Sequence, residues 1–214
     1  MADLWSKLIM PQQRKFRTAR AELIKKIAPD IEGASVIDVG GALPFWRAVG
    51  HILKPASVRI FNISEHRTTM FQTQHEDWLS VELYDGYRLP VGDKAADFVI
   101  CNSVIEHVPP AARANLANEI RRVGRTCIVQ TPSPAFPLEL HFLLPFVHWM
   151  PRPLARNLVV VSPFNLLSDV NVKQYFDETQ LLRVAELQRY FPGAEIRSER
   201  FLGMPKSNIV IARV

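Results

Sequence analysis

The chain is poor in the features that mark several protein classes. Its 214 residues include two cysteines, Cys101 and Cys127, with no paired cysteine or histidine spacing, so neither a disulfide framework nor a zinc site is expected and no metal ligand is assigned. No stretch of 18 apolar residues occurs, which excludes a spanning helix, and no charged start leads into a long apolar run, so a cytoplasmic protein is expected. Excess charge is also missing from most of the chain. Residues 1–28 hold seven basic side chains against Asp3 and Glu22, which accounts for the whole net charge of +5 and leaves 19 of each sign elsewhere. A balanced body lacks the basic, aromatic-studded face that nucleic acid requires, so no nucleic-acid partner is expected. Repeats and low-complexity tracts are absent too.

Alternation of short apolar runs with helical patterns is what the chain does have. Strands are predicted near 35–39, 57–62, 79–83, 97–101 and 125–130, and helices near 44–53, 66–73 and 111–123. Ser35-Val-Ile-Asp38-Val-Gly-Gly41 reads as a buried strand entering a glycine turn, and a helix begins at Pro44. Such a turn lets a ligand approach the backbone, and the helix terminus behind it offers unpaired N–H groups. About twenty residues on, Val58 to Asn62 forms a second strand that ends at a ribose-reading position. Asp85-Gly86 to Pro90 then precedes the strand Asp97 to Asn102, followed by Ser103-Val-Ile-Glu106-His107-Val108.

This ordered set, with Glu119 to Val123 and Ile128 to Pro132 after it, resembles the class I S-adenosylmethionine (SAM) dependent methyltransferases, within them the small-molecule group that includes ubiquinone-biosynthesis enzymes. The resemblance runs from Val36 to the C-terminus. It implies a Rossmann-like α/β fold whose seven-stranded, mostly parallel sheet carries helices on both faces and closes with an antiparallel C-terminal hairpin, here Ala194 to Phe201 and Ser207 to Val214. It also implies SAM as cofactor. Asp38, Gly40 and Gly41 would lie beside its methionine part, Asn62 at the ribose in place of an acid, and Asp85 and Gly86 near the adenine. Asn102 and Ser103 would face the methionine and the mouth of the acceptor site. The family's second and third loop glycines are replaced by Ala42 and Pro44. A left-handed Ala42 would cost roughly 1–2 kcal/mol, so the turn is expected to run through Gly41.

Two segments flank this frame within what reads as a single domain, 1–214. Residues 1–30 form a basic helix with Phe16, Ala19, Leu23, Ile24 and Ile27 on one side. It either covers the sheet or provides peripheral contact with the inner face of a membrane. Residues 133–175, interrupted by Pro134, Pro137, Pro145, Pro151 and Pro153, are too long for an ordinary connection and read as an inserted acceptor lid. The competing reading is a hydrophobic hairpin packed on the domain or on a second subunit. Phe176-Asp177 then resembles a capped helix start carrying Leu181, Leu182, Ala185, Leu187 and Phe191.

Methyl transfer from a sulfonium is an in-line displacement that depends chiefly on placing the acceptor, which can contribute about 7–11 kcal/mol. If a hydroxyl is methylated, a histidine is the natural proton acceptor. His141 and His107 are the catalytic candidates, with His148 behind them, while His51, His66 and His75 read as surface or helix-end residues. Glu139 is expected to orient His141 or to pair with Arg152 and Arg156, which could otherwise read a phosphate. The expected activity is methylation of a small or lipid-linked metabolite. The alternatives are a catalytically silent scaffolding protein of the same fold, and a nucleotide-sugar or NAD enzyme, against which the loop lacks the G-x-G-x-x-G phosphate cradle.

Overall fold

A computed structural model describes residues 10–63, 76–168 and 170–214, with side chains from residue 15 onward except that of Leu167. The helix predicted near 66–73, together with Glu65, His66 and His75, lies outside the described residues, as do the first nine of the N-terminal segment.

In chain order the elements are α1 (Met10–Ile27), β1 (Ser35–Val39), α2 (Leu43–Leu53), β2 (Ser57–Asn62), β3 (Leu79–Leu83), β4 (Ala96–Asn102), α3 (Pro110–Val123) and β5 (Gly124–Pro132). A second series follows: β6 (Leu138–Glu139), β7 (Leu144–Pro145), α4 (Arg152–Leu158), α5 (Pro163–Leu167), α6 (Val172–Glu178), α7 (Val184–Tyr190), β8 (Glu195–Phe201) and β9 (Met204–Arg213). Seven strands make one sheet in the order β3-β2-β1-β4-β5-β9-β8, parallel through β5, with β9 antiparallel to both of its neighbours. The chain runs outward from β1 to β3 and then returns to β4 on the other side of β1. That reversal opens a crevice beyond the carboxyl ends of β1 and β4, the place where open α/β sheets bind ligands.

Helices on both faces explain why the central strands are continuous apolar runs. On one face Ile24 and Ile27 of α1 and Trp46 and Val49 of α2 pack on Val36, Ile60, Phe98 and Ile211. On the other, Leu116 and Ile120 of α3 and Leu187 of α7 pack on Ile37, Val99, Val129 and Val210. Cys101 and Cys127 are buried as small apolar side chains, with Cys127 Sγ donating to Ile120 O at 3.2 Å. Among the described side chains of α1, Leu23, Ile24 and Ile27 pack against the sheet. Ala19 departs from the expected stripe and is exposed, its neighbour Ala21 being the buried residue. No described helix is long and apolar enough to cross a membrane.

The segment after β5 has a hydrophobic cluster of its own: Phe142, Val147, Ala155, Val159, Val172 and Phe176. Phe142 is the middle of that cluster, with the rings of Phe164, Tyr175 and Phe176 at 6.2, 5.7 and 5.7 Å. A second correction concerns the helix start expected at Phe176-Asp177. Those residues end α6, which Asn171 opens by accepting from Gln174 N, and the next helix waits until Val184, where Glu186 accepts from Arg183 N. Gln180 could not continue α6 because its N–H is drawn to Glu106 O at 2.8 Å.

Candidate functional site

The glycine loop leaves β1 by a tight route. Gly40 has φ +73, a conformation L-residues resist, and a Cβ there would stand 2.6 Å from Val104 Cγ2. A Cβ on Gly41 would stand 1.8 Å from Asp38 Oδ2. The left-handed turn thus falls at Gly40 and not through Gly41, while Ala42 is extended (φ −138, ψ 137) and carries none of the expected strain. Pro44 is the second residue of α2, where its missing N–H is not needed.

Asp38 is almost wholly buried and accepts Trp46 Nε1–H at 2.6 Å through Oδ2, while Oδ1 has no hydrogen-bond partner among the described residues. Burial pushes its carboxyl up to about 7, against the Trp46 N–H, which favours the charged form. A buried carboxyl oxygen without a donor, at the head of a turn that forbids side chains, suits a ligand that arrives with positive charge. SAM carries an ammonium and a sulfonium, and the residues present fit it.

Asn62 is buried at the end of β2, and its amide donates to Gly41 O at 3.2 Å, so it ties the second strand to the glycine loop. Asp85 is exposed and folds its own turn, Oδ1 accepting Tyr87 N at 2.8 Å and Arg88 N at 2.7 Å; these two N–H groups hold its carboxyl below the usual range. Gly86 completes that turn at φ +80, with Ile63 beside it, and Ile63 and Tyr87 are 71% and 70% exposed. Apolar surface is thus left open where the adenine is expected.

Asn102 and Ser103 end β4. Ser103 has φ +55, its N–H is held by Gln130 O and its hydroxyl donates to Gln130 Oε1, each at 2.9 Å. Arg20 of α1 reaches the same point, donating to Asn102 Oδ1 at 2.8 Å and Gln130 Oε1 at 2.9 Å and pairing with Glu199 at 3.2 Å. Sequence reasoning missed this arginine because its partners lie 82, 110 and 179 residues away.

The two histidine candidates meet. The rings of His107 and His141 are 4.9 Å apart, edge to face, and Tyr175 stacks on His107 at 5.3 Å. His141 Nδ1 is 2.7 Å from Glu139 Oε1, and Glu139 Oε2 accepts Phe142 N at 2.9 Å. Glu139 therefore orients His141, whereas Arg156 pairs with Asp177 at 2.8 Å and Arg152 lies over the Phe176 ring at 5.1 Å. Behind His141 stands Glu106, fully buried, one oxygen accepting from Thr131 Oγ1 at 2.9 Å and the other 3.7 Å from His141 Nε2. Burial opposes charge on His141, but the two carboxylates outweigh it and raise the imidazole to about 9. His148 is held apart, its Nε2 at 3.1 Å from Pro134 O. Of the two expected roles of Glu139 the structure shows the one at His141, whereas the sequence singled out Glu106 only as part of a Glu-His-Val run and gave no sign that it would approach the same imidazole.

Comparisons with known proteins bear on the fold and on part of the loop region. Residues 40–126, the stretch bearing these loops, match the sequence model of a family described as Methyltransferase domain. A SAM-dependent methyltransferase from Mesorhizobium loti is similar in structure, with a TM-score of 0.60 at 13% identity over 91% of this chain and 98% of the other. One from Archaeoglobus fulgidus has a TM-score of 0.60 at 13% identity over 92% and 94%. A chain of the complex between the Haloferax volcanii Trm112 methyltransferase activator and a methyltransferase has a TM-score of 0.60 at 15% identity over 98% and 93%. At such identities the likenesses speak for the fold alone. No curated protein matches the sequence. Over residues 40–126 the chain thus matches a methyltransferase domain, and its sheet order is the fold seen in SAM-dependent methyltransferases.

Proposed function

We propose that the enzyme methylates a small or lipid-linked metabolite whose apolar part lies against the segment 133–175, the acceptor lid. One observation carries this reading. The segment leaves Phe146, Trp149, Leu154, Val161 and Leu166 about half to two-thirds exposed, while the same stretch of chain buries His141 and Glu139 beside the strand ends. Exposed apolar surface next to a buried charged centre suits an acceptor with a greasy body and a polar reacting group.

SAM, when bound, supplies an activated methyl group. Asp38 would hold its ammonium, Gly40 and Gly41 would let it approach the backbone, Asn62 would brace the loop beside the ribose, and Asp85 and Gly86 would border the adenine. Asn102 and Ser103, fixed by Arg20 and Gln130, would set the floor on which acceptor and methyl group meet. His107 and His141 would contact the acceptor. At neutral pH His141 keeps its proton in this arrangement, so it serves as a charged donor that orients an acceptor oxygen. The lid excludes water from the transfer.

The experiment is calorimetric titration with SAM and its demethylated product, followed by a screen with methyl-labelled SAM. Acceptors would be matched pairs with and without a long apolar tail. Tailed acceptors are expected to turn over with the lower KM. Equal or better turnover of the untailed compounds would reject the lipid-linked part of the proposal.

A further inference from the structure

We propose that Glu106, His107 and His141 form a binding site for one divalent transition-metal ion. Each offers a ligand atom, and these atoms lie within 4.8 Å of one another. Two imidazoles and one carboxylate are a donor set suited to zinc, manganese or iron(II).

The second observation is Glu106 itself. Its side chain has no exposed surface, Oε2 is held by Thr131, and Oε1 has no hydrogen-bond partner among the described residues. Its 3.7 Å separation from His141 Nε2 is too long for a hydrogen bond. Two ligands each about 2.0–2.2 Å from one ion stand roughly 3.0–3.6 Å apart, so little movement would be needed.

The supporting residues are those a metal site needs. Glu139 takes the Nδ1 side of His141 at 2.7 Å and is itself fixed by Phe142 N, the carboxylate–histidine arrangement that turns Nε2 toward an ion. Thr179 Oγ1 gives its hydrogen to Tyr175 O at 2.7 Å and holds the His107 ring through Nδ1 at 3.3 Å. Charge points the same way. The described donors to the two buried carboxylates are Thr131, Phe142 N and His141, one cationic group at most for two anions, and a divalent ion corrects the shortfall. Ligand formation would exchange the His141 Nε2 proton for the metal. Because Glu106 follows β4 and Thr131 is near the end of β5, the ion would sit at the rim of the acceptor crevice. Orienting an acceptor oxygen there rests on the proposed methyl transfer; metal binding does not.

The test is performed on the full chain after chelation. Zn²⁺ and Mn²⁺ are titrated by calorimetry, and Co²⁺ by its visible absorption. One equivalent per chain is expected, with paramagnetic broadening of the His107 and His141 ring signals by Mn²⁺. Glu106→Gln and His141→Ala should each weaken binding at least 100-fold, and Glu139→Gln about 10–100-fold, with SAM affinity within a few-fold of wild type in all three. If a variant fails to fold, the ring-signal broadening in the wild type decides. The proposal is overturned if the wild type takes up no stoichiometric metal, if the broadened signals belong to other residues, or if Glu106→Gln and His141→Ala bind unchanged. Metal uptake without SAM binding would instead count against the cofactor reading and leave this site standing.

Discussion

The two sides of the crevice are built by different means. On the proposed cofactor side the decisive geometry is backbone: positive φ at Gly40, Gly86 and Ser103, and a loop that excludes a Cβ at Gly41. On the proposed acceptor side it is side chains from distant parts of the chain, Glu106 meeting Thr131 across 25 residues and His107 meeting Thr179 across 72. Local turns can be read from short patterns and tolerate little substitution. A buried network of acids and imidazoles depends on every layer that packs above it, so it should fail separately and under different conditions.

The largest expected effect separates the two sides. Phe142→Ala empties the centre of the small aromatic cluster and should cost about 3–5 kcal/mol where the loss is felt, in the segment after β5. Hydrogen exchange should show that segment opening while SAM affinity stays within a few-fold of wild type; equal loss of protection in β1 and β4 would mean that the two sides are one cooperative unit. Gly41→Val tests the reverse. Its side chain must displace Asp38 or the loop, so SAM affinity measured by calorimetry should fall at least 100-fold, about 2.7 kcal/mol, while protection of the aromatic cluster is unchanged.

A pH series gives an intermediate effect confined to the acceptor side. The His141 imidazole is raised from 6.5 to about 9, so its stabilising contribution is complete below about pH 6.5 and is lost as pH rises through 9. Denaturant unfolding should show the advantage of wild type over His141→Gln shrinking between pH 6.5 and 9.5, by on the order of 1–3 kcal/mol. A constant difference across that range would show that Glu106 and Glu139 do not hold the charged form. The smallest effect is Asn62→Asp. A carboxylate facing Gly41 O loses the amide bond and repels the carbonyl, so SAM should bind about 0.5–1.5 kcal/mol more weakly. Tighter binding would mean that residue 62 reads the ribose directly, as the family's acid does.

The frame was legible in the sequence because it obeys short-range rules. β1, β2 and β3 fall at the predicted residues, since each is a short apolar or alternating run closed by a turn signal, and α3, which begins at Pro110, stops before Gly124. A tight glycine turn after β1 was legible for the same reason, although its left-handed residue is Gly40 and not Gly41. The end of α6 was not. Phe176-Asp177 looks like a start, yet Asn171 had already capped the helix, and Glu106 O takes the N–H of Gln180 from across the molecule. Nor was the role of Phe142 legible, because an aromatic residue in a proline-rich stretch reads alike whether it faces a substrate or its own small core.

The amino-acid sequence alone determined the sheet and the glycine turn, because apolar periodicity and turn chemistry act over a few residues and need no knowledge of what packs above them. Tertiary structure decided which side chains share the crevice. Arg20 clasps Asn102, Gln130 and Glu199, and Glu106 meets Thr131, only because the fold brings segments 25 to 179 residues apart into a space where water is largely excluded. Charges meeting in such a space interact far more strongly than the same charges in solvent, a circumstance that no local pattern records.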